Sequence, residues 1–211
     1  MGMNSRKLSA RTKQPGHDQT YRASEGNFSA FLRSSLNLDV FAVAEKPSDL
    51  RKMLPPIAKE AGSKAYGVVP EVSVVCKATG RKLYFEVKKQ AEGGNADERA
   101  CKHHTVQFQR QLKKFTGYSY HSFVTIMCEQ LANMPKYVAK HPYFFEPNSY
   151  FCWKDYSDTA ALRTFLERVI LATIVDDAKT SVWRSGADRT IANPTHRDQT
   201  LLLRKVPRTL S

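Results

Sequence analysis

Two glutamates and a lysine, Glu71, Glu86 and Lys88, flank a short polar break in a stretch rich in β-branched and aromatic residues. Glu86 and Lys88 are two positions apart, so on a strand they project from one face while Phe85 and Val87 project from the other. Val72, Val74 and Val75 before the break, and Leu83, Phe85 and Val87 after it, favour strands. Lys77-Ala78-Thr79-Gly80 between them makes a four-residue loop in which Gly80 can adopt a positive φ. With that loop Cys76 pairs with Arg81, and counting outward sets Glu71 opposite Glu86. Opposed residues of an antiparallel pair have Cβ atoms roughly 4.5–5.5 Å apart, where like charges repel. Two carboxylates so placed call for a cation between them, and Mg²⁺ is bound by one or two carboxylates with waters and phosphate oxygens. A lysine beside a metal-bound water suits phosphodiester hydrolysis, because the metal acidifies the water and stabilises charge on the phosphate. Glu-x-Lys is also common on solvated strand faces, so the register carries the weight.

A glycine-rich turn follows, Glu92-Gly93-Gly94-Asn95-Ala96-Asp97-Glu98-Arg99. Asn95 suits an N-cap, and Glu98 stands three residues on, the capping-box spacing. Ala100, His104, Phe108, Leu112 and Phe115 fall on one stripe, which predicts a single helix of about 20 residues stopped at Gly117. The plainer reading of Asn95–Arg99 is a capped helix start with pairs along its own surface, Arg99 with a glutamate among them. His103 and His104 point to different sides of that helix, with no ligand cluster beside them. Glu45 and Glu60 are further acids that a fold could bring near the pair.

These residues need a sheet to hold them. Phe28, Phe31, Leu32 and Leu36 have helical spacing within residues 27–36. Val40–Ala44 reads either as a short buried strand or as the end of that helix. Ser48 can cap a helix reaching Leu54, stopped by Pro55-Pro56. Ser122–Cys128 reads as a buried strand of the hairpin's sheet, and a short helical piece is expected around Lys136–Lys140. The aromatic segment Tyr143–Trp153 supplies one more strand; core packing of its rings is favoured over a base-stacking platform. Asp158 can cap a helix that carries Ala161, Leu162, Phe165, Leu166, Val169, Ile170 and Ala172, an apolar surface wide enough for the sheet or for a second subunit.

The chain has 211 residues and a net charge of +13, of which +4 lies in residues 1–24 and +4 in residues 180–211, leaving +5 for the rest. Basic ends on a mildly basic body suit a polyanion partner. The domain layout expected is a basic arm over residues 1–24, one catalytic and DNA-binding domain over 25–177, and a polar basic extension over 178–211. No apolar run approaches the roughly 20 residues of a membrane helix. The Met-Gly-Met-Asn-Ser-Arg-Lys start lacks the pattern of a secretory signal. Cys76, Cys101, Cys128 and Cys152 are widely spaced with no Cys-x-x-Cys pair, as expected of reduced thiols in a cytoplasmic protein.

The strand pair and the turn together resemble the EcoRI/MunI-type restriction endonucleases within the PD-(D/E)xK nuclease superfamily. Pro70-Glu71 followed by Glu86-Val87-Lys88 is similar to the superfamily's catalytic pattern. Gly94-Asn95-Ala96-Asp97-Glu98-Arg99-Ala100-Cys101-Lys102 is similar to that family's Gly-Asn-Ala-x-Glu-Arg-Ser stretch. Weaker similarity lies in Glu45-Lys46-Pro47, Tyr66-Gly67-Val68 and Tyr150-Phe151-Cys152-Trp153, so the resemblance spans residues 25–177. It implies an α/β, restriction-endonuclease-like fold with a central mixed β-sheet flanked by helices. It implies that Glu71, Glu86 and the Val87 carbonyl hold Mg²⁺ while Lys88 attends the attacking water. It further implies that Asn95, Ala96, Glu98 and Arg99 read an AATT core in the major groove, with Lys102 among the DNA contacts. Asn can bond adenine N6 and N7 together, and a helix N-terminus favours phosphate. A homodimer is the natural match to a palindrome.

Two positions depart from the family pattern. Glu71 stands where Asp is usual, and Gly93 stands where MunI-like proteins carry an arginine suited to an outer base pair. The expected function is a type II restriction endonuclease that hydrolyses double-stranded DNA at a palindromic site containing AATT, in a prokaryotic cytoplasm. The alternatives are a structure-specific repair or recombination nuclease of the same superfamily, and a DNA-binding protein that no longer cuts.

Overall fold

The computed structural model describes residues 15–54, 68–90 and 95–185. Helix α1 (Pro15–Ser35) leads into β1 (Phe41–Glu45), and the hairpin strands β2 (Val72–Cys76) and β3 (Lys82–Gln90) follow. Then come helices α2 (Ala96–Cys101) and α3 (Val106–Thr116), strand β4 (Phe123–Glu129), three short helices α4 (Gln130–Asn133), α5 (Pro135–Val138) and α6 (His141–Phe144), strand β5 (Tyr150–Trp153) and helix α7 (Ala160–Thr173).

The five strands form one sheet in the order β1-β2-β3-β4-β5. Neighbours from β1 to β3 are antiparallel, and those from β3 to β5 are parallel. Parallel neighbours need a crossover, which α2 and α3 supply between β3 and β4, and α4 to α6 between β4 and β5. β3 is therefore the seam between the two halves, paired along both edges.

Strand alternation sorts the side chains onto two faces. Val72, Val74, Leu83, Phe85, Val87, Val124 and Ile126 face α1 and α7, where Phe28, Leu32, Leu36, Leu162, Leu166 and Ile170 meet them in one buried cluster. The opposite face packs Tyr84 and Phe123 against Leu112 of α3, with Leu50 and Met53. Farther along that face, Met127, Leu131, Tyr137 and Phe145 pack against Ala96 and Ala100 of α2. The apolar surface expected on the helix after Asp158 is thus turned to the sheet.

Several boundaries differ from those expected. α1 starts at Pro15, so residues 15–24, grouped with a basic arm on composition, are helical; proline tolerates a first helical position because its missing N–H would be unpaired there. Val40 lies just outside a strand that runs Phe41–Glu45. The helix expected at Ser48 is a single 3₁₀ turn, Asp49–Lys52, and the Ser48 side chain does not cap it. Asp49 instead accepts bonds from Lys82 Nζ and Tyr84 Oη, both at 2.8 Å, tying that turn to β3. Thr159 takes the N-cap position of α7, while Asp158 accepts from Ala160 N–H one residue earlier. The core continues past Asp177. Val182 is buried, its carbonyl accepts from Asn37 N–H at 2.9 Å, and Arg184 N–H donates to the Ser35 carbonyl at 3.0 Å.

The largest difference lies after β3. The predicted single helix is two helices, broken at residues 102–105. Thr105 begins α3 by accepting from Phe108 N–H at 3.2 Å. The break turns both histidines inward: His104 Nε2 bonds Thr125 Oγ1 at 2.8 Å, and the His103 ring sits 4.6 Å from that of Phe123. One straight helix cannot aim adjacent residues into the same layer. Gly117 ends α3 with φ +75, as expected of a left-handed C-cap. Among the described residues, no helix is long and apolar enough to cross a membrane.

Candidate active site and DNA-reading turn

The hairpin has the register that its loop length demands. Val72 faces Phe85 and Val75 faces Lys82, and Gly80 takes φ +68 in the loop. One step beyond that ladder, Glu71 stands level with Glu86. Both lie on the sheet face toward α2 and α3, opposite Phe85 and Val87.

The side chains converge. Lys88 Nζ contacts Glu86 Oε1 directly and lies 3.5 Å from Glu71 Oε1, while Val87 N–H donates to Glu71 Oε2 at 3.3 Å. All three charged groups are largely buried, with side-chain exposures of 14% for Glu71, 10% for Glu86 and 16% for Lys88. Burial, then the hydrogen bond and charge of Glu86, push the Glu71 carboxyl up to about 9. Burial also acts to raise Glu86, but the hydrogen bond from Glu71 and the Lys88 charge outweigh it and hold Glu86 below the usual carboxylate range. Burial works against the Lys88 ammonium, yet the two carboxylates keep its affinity for the proton above normal. The pair of glutamates thus shares one proton at neutral pH.

That sharing tests the donor set for a divalent cation. Two buried carboxylates that cannot both ionise are an oxygen site with too little positive charge, and a divalent cation supplies it. Among the described residues no group of three His, Cys, Asp or Glu side chains forms a metal cage. Mg²⁺ does not need one, since it keeps waters and takes phosphate oxygens beside one or two carboxylates. The residues fit such an ion.

A cavity of about 650 Å³ opens beside Glu86, walled by Lys102, His103, Gln107 and Gln111 on one side and Leu54 and Val68 on the other. His103 is buried and its Nδ1 has no hydrogen-bond partner. Burial lowers it to about 4, so it is neutral at physiological pH. Its place in this wall was not visible in the sequence, because an unbroken helix sends His103 and His104 in different directions.

The expected DNA-reading residues sit at the start of α2; Gly93 and Gly94 lie outside the described residues. Asn95 occupies the N-cap position, but its side chain makes no cap bond. The capping box with Glu98 therefore does not form. Asn95 takes φ −130 and ψ 40, outside the extended region from which an N-cap side chain reaches the second or third helical N–H. The first helical N–H, that of Ala96, donates to Gln90 Oε1 at the end of β3, while Gln90 Nε2 donates to Tyr137 Oη in α5. Asn95, Glu98, Arg99 and Lys102 are exposed, and Ala96 is buried. Arg99 makes no ion pair among the described residues, contrary to a helix that pairs along its own surface. Glu98 lies 3.6 Å from Lys140 Nζ, which is also 3.8 Å from the buried Asp97.

The further acids divide. Glu45 accepts from Ser29 Oγ at 2.6 Å and pairs with Arg33, facing away from the pair; Glu60 lies outside the described residues. Glu25 of α1, unremarked in the sequence, adds to the field that raises Glu71. Lys46 connects the two, donating its N–H to the Glu71 carbonyl at 2.8 Å and placing Nζ 3.6 Å from Glu25.

A mixed sheet whose antiparallel hairpin presents two acids and a lysine, next to a helix start facing the same side, has the architecture of a restriction-endonuclease-like nuclease. The family described as type II restriction enzyme MunI matches residues 1–175. This chain belongs to that family, whose members are site-specific deoxyribonucleases. Among solved structures, the crystal structure of MunI restriction endonuclease in complex with cognate DNA superimposes with a TM-score of 0.50. The two share 20% identity, over 60% of this chain and 78% of that one, a likeness of fold. Comparison with curated proteins returned no match.

Proposed function

We propose that this enzyme is a Mg²⁺-dependent homodimer that cleaves double-stranded DNA at a palindrome containing AATT, with Glu71, Glu86 and Lys88 as its cutting centre. The observation that carries this reading is the convergence of two buried carboxylates and an ammonium on one sheet face, beside an exposed helix start. Glu71, Glu86 and the Val87 carbonyl hold the metal. When bound, Mg²⁺ supplies Lewis-acid polarisation of the phosphate and a water of lowered pKa. Lys88, gripped by both glutamates, is kept charged and in place to orient the attacking water and to meet the phosphate. Lys102, in the wall of the adjoining cavity, takes the DNA backbone.

Asn95, Ala96, Glu98 and Arg99 read the bases. The Asn95 amide, free of a capping bond, can bond adenine N6 and N7 together. The unpaired Arg99 guanidinium is a groove donor, and Glu98 can accept from exocyclic amines. The family's interest in AATT comes to this chain by resemblance of Gly94–Arg99, and Gly93 leaves the outer pair without an arginine. Digestion of mixed-sequence plasmid DNA with Mg²⁺ is the test. Discrete fragments whose end sequences share AATT are expected; smears, or cutting that survives EDTA, overturn the reading.

A further inference from the structure

We infer that Gln90 is a positioning residue for sequence recognition, one that fastens the DNA-reading turn to the strand that carries the catalytic groups. The inference rests on the reading of Asn95–Arg99 as base contacts and goes beyond it. Gln90 lies two residues past Lys88 and four past Glu86, so all three project from the same face of β3. Its amide is used at both ends. Oε1 accepts the N–H of Ala96, the first residue of α2, and Nε2 donates to the hydroxyl of Tyr137. Gln90 and Tyr137 are each 3% exposed and Ala96 is 6% exposed, so these bonds are shielded from competing water.

The consequence falls on the start of α2. The first N–H groups of a helix need acceptors, and the N-cap side chain commonly supplies one. Here the strand supplies an acceptor for the Ala96 N–H, the first of them, which an N-cap side chain does not reach, and Asn95 makes no cap bond of its own. Tyr137 completes the clamp, since its ring packs in the cluster that buries Ala96 and Ala100. A buried glutamine bonded on both sides has a fixed orientation, so the start of α2 is set relative to Glu86 and Lys88 to within hydrogen-bond tolerance. A base mismatch that displaces the turn then pulls on the catalytic strand through this amide.

The test uses the full-length protein and four variants. Gln90→Met removes both bonds at similar volume. Gln90→Glu restores an acceptor for Ala96 N–H and for the Tyr137 hydroxyl. Tyr137→Phe deletes only the far partner, and Arg99→Ala removes a reader. Cleavage rates at the cognate site and at singly substituted sites are compared, with Ca²⁺ binding measured in the absence of DNA. Gln90→Met should lower the ratio of cognate to substituted cleavage about tenfold, the worth of one buried hydrogen bond left unmade. Its Ca²⁺ binding should stay at the wild-type level, and Gln90→Glu should recover most of the ratio. Tyr137→Phe should lose a few-fold, which keeps the inference testable if Gln90→Met does not fold. An unchanged ratio in Gln90→Met, or in Tyr137→Phe where Gln90→Met does not fold, overturns the inference. So does an equal fall at all sites, which is the mark of general loosening. If Arg99→Ala leaves the ratio intact, the assignment of the turn as reader fails; if only Arg99→Ala lowers it, the failure is confined to Gln90.

Discussion

The hairpin of β2 and β3 and the turn that opens α2 lie on the same sheet face, yet they are held by different means. The hairpin is specified locally. Its loop sets the register, the register sets Glu71 against Glu86, and strand alternation brings Lys88 to the same side. The turn is specified from a distance, by Gln90 behind it and by Tyr137 and Lys140 from the segments before β5. Its Asn95, Glu98 and Arg99 side chains stay exposed, while Glu71, Glu86 and Lys88 of the hairpin are buried among one another. On the proposed reading, the contrast teaches that the cutting groups are encoded in the repeat of a strand, whereas recognition is encoded in whatever steadies an exposed turn.

The largest effect that separates the two regions belongs to the hairpin. Glu86→Ala or Lys88→Ala should reduce cleavage by roughly 10²–10⁴-fold while leaving specific DNA binding measurable by gel shift. Near-wild-type cutting by either variant would sink the assignment. Arg99→Ala should do the reverse, costing about 1–3 kcal/mol of discrimination between cognate and substituted sites with little change in general affinity. If it weakens binding to all sequences alike, Arg99 is a phosphate contact and the contrast blurs.

A pH titration sharpens the comparison without any DNA. With no metal, Glu71 holds its proton in the folded protein up to about 9, whereas the unfolded chain gives it up near the ordinary 4.5. The raised value stabilises the fold fully at low pH, and that stability is lost as pH climbs from about 4.5 through about 9. Glu86, held low, acts in the opposite sense only below the usual carboxylate range. Buried histidines, His103 among them, act in the opposite sense below about 6.5, so the window that isolates Glu71 is pH 7 to pH 9. There the thermal midpoint of metal-free protein should fall by several degrees, and Glu71→Gln should flatten the profile. A wild-type profile as flat as that of the variant argues against the shared proton. The smallest effect is expected at the helix break. Thr105→Ala should cost about 1 kcal/mol of stability by calorimetry, with cleavage specificity unchanged. A large loss of specificity there would mean that α2 and α3 act as one rod.

The parts legible in the sequence were those with a short period. Pairing of Glu71 with Glu86 followed from four loop residues and a repeat of two, and the loop glycine took the positive φ it was expected to take. The mixed sheet around the hairpin also emerged as expected, although Tyr143 and Phe144 fell in α6, Phe144 and Phe145 packed in the core, and Tyr143 stayed exposed, all outside β5. Residues whose roles depend on distant partners were hidden. Gln90 reads as the polar end of a strand until Ala96 and Tyr137 are beside it. The stripe from Ala100 to Phe115 is continuous in sequence, yet Thr105 offers its own cap to Phe108, and two buried histidines find better places if the helix stops. Asn95 and Glu98 have capping-box spacing, but the backbone of Asn95, at φ −130 and ψ 40, leaves the extended region that such a cap requires. Glu25 is far from Glu71 in sequence, and only the seating of α1 on the sheet brings its charge to bear.

The interruption at residues 102–105 also bears on how such a chain can change its target. α3 is anchored by Leu112 in the layer of Tyr84 and Phe123, whereas α2 is anchored to β3 and α5. Substitutions at the exposed Asn95, Glu98 and Arg99 therefore need not be refitted through α3, whereas Ala96, Asp97 and Ala100 are held by the core. On the proposed reading, the exposed face of α2 is the part that evolution, or a designer, can rewrite while its buried face keeps the helix on the strand of Glu86 and Lys88.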